Sequence, residues 1–190
     1  MGAMNEDLTL REGAKGSGRP WREIFLDIAR GSEAALGEIY DAAARPVFGL
    51  ALWRTGSTDE ACDVVQELFV RLAEQGTKLA KVRKPRAWLF AVAHRIAVDV
   101  ARRRGRSEPL ERCALLEAAT GDAGRAVDAA RAGTLLARLS AAQREAVYLR
   151  HYADCTFAEI GQVTGVPTFT AASRYRLGIA KLRRMMEGER

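Results

Sequence analysis

A chain of 190 residues has the length for one or two small domains and for a buried core. Its 30 Lys and Arg outnumber 24 Asp and Glu by a moderate +6, so where the charge sits matters more than how much there is. Cys62, Cys113 and Cys155 are odd in number and far apart, which fits a reduced cytoplasmic chain rather than a disulfide framework, and no apolar run is long enough for membrane insertion.

Residues 1–20 are Gly-rich and polar, without a periodic apolar face, and are expected to form a flexible segment. From Trp21 a helical pattern begins: Ile24, Phe25, Ile28 and Ala29 form one stripe, Gly31-Ser32 interrupts it, and Ala35, Leu36, Ile39 and Tyr40 resume it. Pro46, placed in a first turn, is expected to start a further helix over Val47 to Trp53. Ser57-x-x-Glu60 is a capping box opening a helix to about Gln75, with Ala61, Val64, Val65, Leu68, Phe69 and Leu72 inward and Asp63, Gln66, Glu67 and Arg71 outward. Gly76 to Lys84 reads as a basic loop. Pro85 then starts a helix with Trp88, Leu89, Val92, Ile96 and Val100 as its apolar run. Residues 107–131 are rich in small and acidic residues and read as a linker. Leu135, Leu136 and Leu139 lead to a second box, Ser140-x-x-Gln143, and to a supporting helix.

The most informative stretch is Thr156 to Arg184. Thr156-x-x-Glu159 is a third capping box, Gly165 is a residue suited to a left-handed C-cap, and a longer helix follows from about Thr168. On that helix Ala171, Tyr175, Ile179, Leu182 and Met186 make an inward stripe, leaving a slim, basic outer side. Gly161 and Ala171 stand where two helices of a helix-turn-helix must come close, a geometry that presents its second helix to a major groove; an ordinary helical hairpin would share part of the pattern. Basic residues also fall in two blocks. Arg71 to Arg106 holds eleven against two acids, and Val166 to Arg190 holds six against two, which implies two contacts with a polyanion. Strand alternation is almost absent, so the chain is expected to be all-α.

No CxxC or HExxH occurs, His151 and Cys155 straddle a loop around Asp154, and no Ser/His/Asp set or carboxylate pair shares a face. Neither a cofactor nor an enzymatic reaction is therefore expected.

Three segments, DVVQELFVRL (Asp63 to Leu72), WLFAVAHRIAVDVARRR (Trp88 to Arg104) and TFAEIGQVTGV followed by TAASRYRLGIAKLRR (Thr156 to Arg184), resemble in order and spacing the motifs of extracytoplasmic-function sigma factors, the promoter-specificity subunits of bacterial RNA polymerase. The resemblance covers Trp21 to Met186. It implies a region 2-like helical bundle over 21–106 and a region 4-like helix-turn-helix over 132–190. Asp63, Gln66, Glu67 and Arg71 would dock on the clamp helices of the largest polymerase subunit. Lys78, Lys81, Arg83 and Lys84 on the loop, with Arg95, Arg102 and Arg103 on the helix, would meet the opening minus-ten element. Thr168, Phe169, Thr170, Ala172, Ser173, Arg174 and Arg176 would read the minus-thirty-five duplex. The implied partners are core RNA polymerase and promoter DNA, with an anti-sigma factor as in many relatives. Two positions depart from the family pattern: Arg95, following His94, stands where Asn is usual, and Phe169 replaces Gly or Asn. Phe169 could press on a thymine methyl or pack on the preceding helix, and Trp88 could stack on a base or join the core. A one-component regulator with an N-terminal sensor pocket, and a small metal enzyme using His94 and Asp99, are the competing readings.

Overall fold

The computed structural model describes residues 18–104 and 133–188, and its regular elements are helices. The expectations for residues 1–17 and for the whole linker, 107–131, lie outside the described residues. Helix α1 (Trp21–Ala29) follows Pro20 and buries Trp21, Ile24, Phe25 and Ile28. Gly31, at φ 89°, makes the turn that glycine tolerates, and the Ser32 hydroxyl caps α2 (Glu33–Thr55) by accepting from the Ala35 N–H. Contrary to the expectation of a new helix after Pro46, α2 runs through it. A proline there removes one intrahelical hydrogen bond, but Ala43, Val47 and Leu50 on both sides of it are buried in one core, and that packing holds the helix together.

Helix α3 (Thr58–Glu74) is capped by Ser57, whose hydroxyl accepts from the Glu60 N–H. The expected return bond from the Glu60 carboxylate to the Ser57 N–H does not form, because the Thr55 hydroxyl already accepts that N–H at 3.3 Å. The basic loop is in part a short 3-10 helix, Gly76–Lys81, pinned by the fully buried Leu79. Helix α4 (Pro85–Arg104) differs from the predicted stripe. Leu89 and Ile96 are buried as expected, yet Phe90, Ala93 and Ala97 join them while Trp88, Val92 and Val100 are only half-buried. The reason is tertiary: α4 packs on α2 and α3 with one side and on a C-terminal helix with another. Trp88 meets Phe25 edge-on at 5.9 Å, so its ring belongs to the core margin.

After a helical turn at 133–137 come α5 (Ala141–His151), α6 (Phe157–Thr164) and α7 (Thr168–Gly188). Both predicted capping boxes form here with their reciprocal bonds, at Ser140/Gln143 and at Thr156/Glu159. Gly165 is left-handed at φ 71° and closes α6. On α7 the inward stripe holds at Ala171, Tyr175, Ile179 and Leu182, but Met186 is exposed and Met185 packs in its place. Three residues beyond Leu182, rather than four, keep Met185 on the buried side as the helix turns. The two helical groups, α1–α4 and α5–α7, share one continuous buried cluster through the contact of α4 with α6.

Candidate functional site

Three surfaces and one seam hold the chemically interesting residues. On α3 the apolar positions face α2 and α4, which leaves Asp63, Gln66, Glu67 and Arg71 exposed on the other side. Glu67 and Arg71 pair at 2.6 Å one turn apart, a solvent-screened contact that orders the face more than it stabilises the fold. Sequence reasoning set Phe69 inward. It is half-buried, with Tyr40 of α2 against it at 4.8 Å, and Val70 beside it is 53% exposed. The face therefore carries an apolar edge, and the only advance sign of it was the Phe-Val pair at the margin of the stripe.

Lys78 and Lys81 project from the 3-10 turn, and Arg83 and Lys84 follow, all exposed. Arg95, Arg102 and Arg103 are exposed on α4, with Asp99 4.0 Å from Arg102. One member of this basic block is not a surface charge. Arg86 is 8% exposed, lies 5.0 Å over the Trp21 ring, and donates to the Asp154 carbonyl at 2.9 Å. Asp154 adopts a left-handed φ of 50°, which turns the chain between α5 and α6.

In the helix-turn-helix, the carbonyl of Gly161 accepts the N–H groups of Gly165 and Val166, winding the turn tightly onto α6. A β-carbon on Gly161 would lie 2.6 Å from the Val166 carbonyl oxygen, so glycine is required for the close approach. Helix α7 then leaves Thr168, Phe169 and Arg176 exposed, with Thr170, Ala172, Ser173 and Arg174 half-buried. Phe169 is 74% exposed and does not pack on the preceding helix. Lys181 is tied back to the Arg138 carbonyl at 2.6 Å, while Arg183 and Arg184 remain exposed.

The seam between the groups was not legible in advance. The Arg54 guanidinium lies 2.8 Å from His94 Nε2, which lies 2.9 Å from Glu145 Oε1, and Arg54 also reaches that oxygen at 3.5 Å. The His94 and Glu145 side chains are 14% and 11% exposed. Burial disfavours the charged Glu145, but His94, Arg54 and Arg174 outweigh it and hold its carboxyl below the usual range. Nearby, the Tyr148 hydroxyl donates to the Pro46 carbonyl at 3.2 Å and Arg144 lies 4.7 Å over the Trp53 ring. A small cleft lined by Leu50, Trp53, Arg54, Ala141, Arg144, Glu145 and Tyr148 opens between the groups, rather than inside the first as a sensor pocket would.

Metal chemistry finds no scaffold among the described residues: no three His, Cys, Asp or Glu side chains cluster in a way that could hold an ion. His94 is engaged with Glu145, Asp99 faces outward, and His151 contacts the Tyr175 hydroxyl at 3.2 Å. Cys155 is fully buried, and burial pushes its thiol well above the ordinary range, whereas Cys62 is exposed. Alkylation with iodoacetamide near pH 8, mapped by mass spectrometry, should label Cys62 rapidly and Cys155 only after denaturation. Comparable rates would mean that the α5–α6 turn is open in solution.

Residues 39–107 match the family model described as Sigma-70 region 2, and residues 135–184 match Sigma-70, region 4. The chain is 32% identical over 161 residues to the ECF RNA polymerase sigma factor SigL of Mycobacterium tuberculosis, a match spanning 82% of this chain and 91% of the relative. It is 28% identical to the ECF RNA polymerase sigma factor SigK of Mycobacterium ulcerans, over 86% of this chain and 92% of that one. Among solved structures, CnrH in complex with the cytosolic domain of CnrY superposes with a TM-score of 0.63 at 22% identity, over 89% of this chain and 98% of that chain.

Proposed function

This chain belongs to the extracytoplasmic-function sigma factors of the sigma-70 superfamily, and from that premise we propose how its surfaces divide the work of directing core RNA polymerase to promoter DNA. The exposed face of α3, with Asp63, Gln66, Glu67 and Arg71, docks on the polymerase. A polar helix face with Tyr40, Phe69 and Val70 along one edge suits an interface that joins an apolar contact to a wet, polar one. The basic turn from Lys78 to Lys84 and the outer side of α4, with Arg95, Arg102 and Arg103, meet the minus-ten element as it opens, through phosphate contacts that need no fixed duplex. Thr168, Phe169, Thr170, Ala172, Ser173, Arg174 and Arg176 of α7 read the minus-thirty-five duplex. By binding the opened promoter better than the closed one, the factor lowers the cost of opening without covalent chemistry.

The observation that carries this reading is the outer side of α7. Its inner side is taken up by Ala171, Gly178 and Ile179, yet Phe169 in the first turn and Arg176 two turns further on are left in solvent on a helix held by a tight turn. Transcription in vitro with purified core polymerase and a pool of upstream DNA tests it. The factor should co-purify with core and select promoters from the pool, and a folded protein that did neither would overturn the reading. Within that assay Arg176→Ala should relax discrimination at one or two upstream base pairs, at a cost of about 1–3 kcal/mol. An equal loss on every sequence would make Arg176 a phosphate contact instead.

Work with core polymerase implies a cytoplasmic site of action, and among the described residues no helix is long and apolar enough to cross a membrane. An anti-sigma factor is proposed as a further partner, by analogy with CnrH, whose solved structure contains the cytosolic domain of CnrY.

A further inference from the structure

We propose that Phe169 and Leu177 read the C5-methyl groups of two thymines set about three or four base pairs apart in the upstream element, with Ser173 seated between them. The proposal rests on the reading of α7 above and gives that duplex a composition. Sequence reasoning placed Leu177 neither in the inward stripe nor among the contacts. The structure leaves it 57% exposed, beside the 74% of Phe169. With Met186 near the end of the helix, these are the large apolar side chains that α7 turns to solvent. At 3.6 residues per turn, positions i, i+4 and i+8 form one slanting row, so Phe169, Ser173 and Leu177 make a ridge about 12 Å long.

What lies behind the row fixes it. Ala171 is fully buried, Tyr175 meets Phe157 of α6 at 5.3 Å, and Gly178 is buried against Val147 of α5. The helix is thus backed at both ends of the row and cannot turn to hide these apolar atoms. Charge decides what covers them. The sequence holds no Asp or Glu from Ile160 to Met186, whereas Arg174, Arg176, Lys181, Arg183 and Arg184 all fall within α7. Of these, Arg176, Arg183 and Arg184 are exposed. Such a face is drawn to a polyanion. Between the phosphates of a duplex, the major-groove floor offers the thymine methyl as its apolar feature, and apolar side chains contact it there. Ser173 and the exposed Ala180 are slim, which lets the helix lie deep enough for its two larger neighbours to reach the floor. Along the groove, a row of about 12 Å covers about three to four base pairs at about 3.4 Å each.

Holoenzyme made from core polymerase and the full chain can first select its upstream element from a randomised pool. Single thymines of the selected duplex are then replaced by deoxyuridine, which removes only the C5-methyl, and binding is measured by competition. Replacement at each of two thymines, about three or four base pairs apart, should weaken binding about fourfold, the worth of one methyl group taken out of water. Phe169→Ala should abolish the penalty at one thymine and Leu177→Ala at the other, each leaving the second penalty intact. Leu177→Met, apolar and close in volume, should keep both. Both side chains stand in solvent, so helical circular dichroism should match the parent in every variant. A selected element without methyl-sensitive thymines would overturn the proposal and leave the upstream reading of α7 standing, as would penalties that survive both alanine changes. If Leu177→Ala weakens binding to core polymerase in the absence of DNA and leaves both methyl penalties in place, the row is a protein contact and the proposal fails. A pool from which no upstream sequence emerges would overturn the upstream reading and this inference together.

Discussion

Gly161→Val should destabilise the helix-turn-helix by about 3 kcal/mol and abolish recognition of the upstream element, while leaving the α1–α4 group folded. The added β-carbon would meet the Val166 carbonyl oxygen at 2.6 Å and the Thr168 amide nitrogen at 3.4 Å. Both are backbone atoms of the turn, so relief requires moving the start of α7, where Thr168 and Phe169 stand. The Gly161 carbonyl also accepts two N–H groups of that turn, and a shift would loosen both bonds. Helix propensity favours Ala over Gly by about 1 kcal/mol, so Gly161→Ala should be milder than valine but still destabilising. Two controls separate crowding from generic loss of glycine. At Gly37 a β-carbon would meet nothing within 4 Å, so Gly37→Ala should be neutral or stabilising by about 0.4–1 kcal/mol. At Gly178 the nearest atom is a methyl of the buried Val147 at 3.0 Å, a side chain rather than backbone, so alanine there needs that methyl to give by a few tenths of an ångström and should cost less than at Gly161. Denaturation followed by circular dichroism, with binding to upstream duplex measured in parallel, checks the series. A valine variant as stable as the parent would mean that the turn is not packed as described.

The second large effect is expected on α3. The paired change Glu67→Arg with Arg71→Glu keeps the net charge and an ion pair one turn apart, at a cost to the fold of no more than about 0.5 kcal/mol. It reverses the charge pattern offered to a partner. Like charges brought together in an interface cost several kcal/mol, so affinity for core polymerase should fall by at least about 100-fold. Transcription from every promoter should fall with it, because docking precedes any choice of sequence. Thermal unfolding near the parental midpoint, together with lost co-purification, is the expected pair of results. Retained core binding would move the docking surface off this face.

Much of the architecture was legible in local chemistry. The boxes at Ser140 and Thr156 are short-range patterns in which side chain and backbone satisfy each other within one turn, and both form with their reciprocal bonds. At Ser57 the same pattern gives only half its bonds, because the Thr55 hydroxyl competes for the same N–H. Pro46 was read as a helix start on propensity, and packing on both sides overrode it. The Phe169 alternative is decided against packing on the preceding helix by its exposure, and Trp88 is half-buried with an edge-on contact to Phe25.

From the order of residues alone came the helices, their apolar sides, the turn glycines and the outward charges of α3, the basic turn and α7, all governed by neighbours a few positions away. Only the tertiary structure decided that α4 is buried on two sides, that Arg86 lies in a seam instead of on the surface, and that His94 and Glu145 face each other. A charged side chain reads as solvated until a remote segment covers it. Whether that happens depends on how two helical groups close over one another, and no periodicity within either group encodes it.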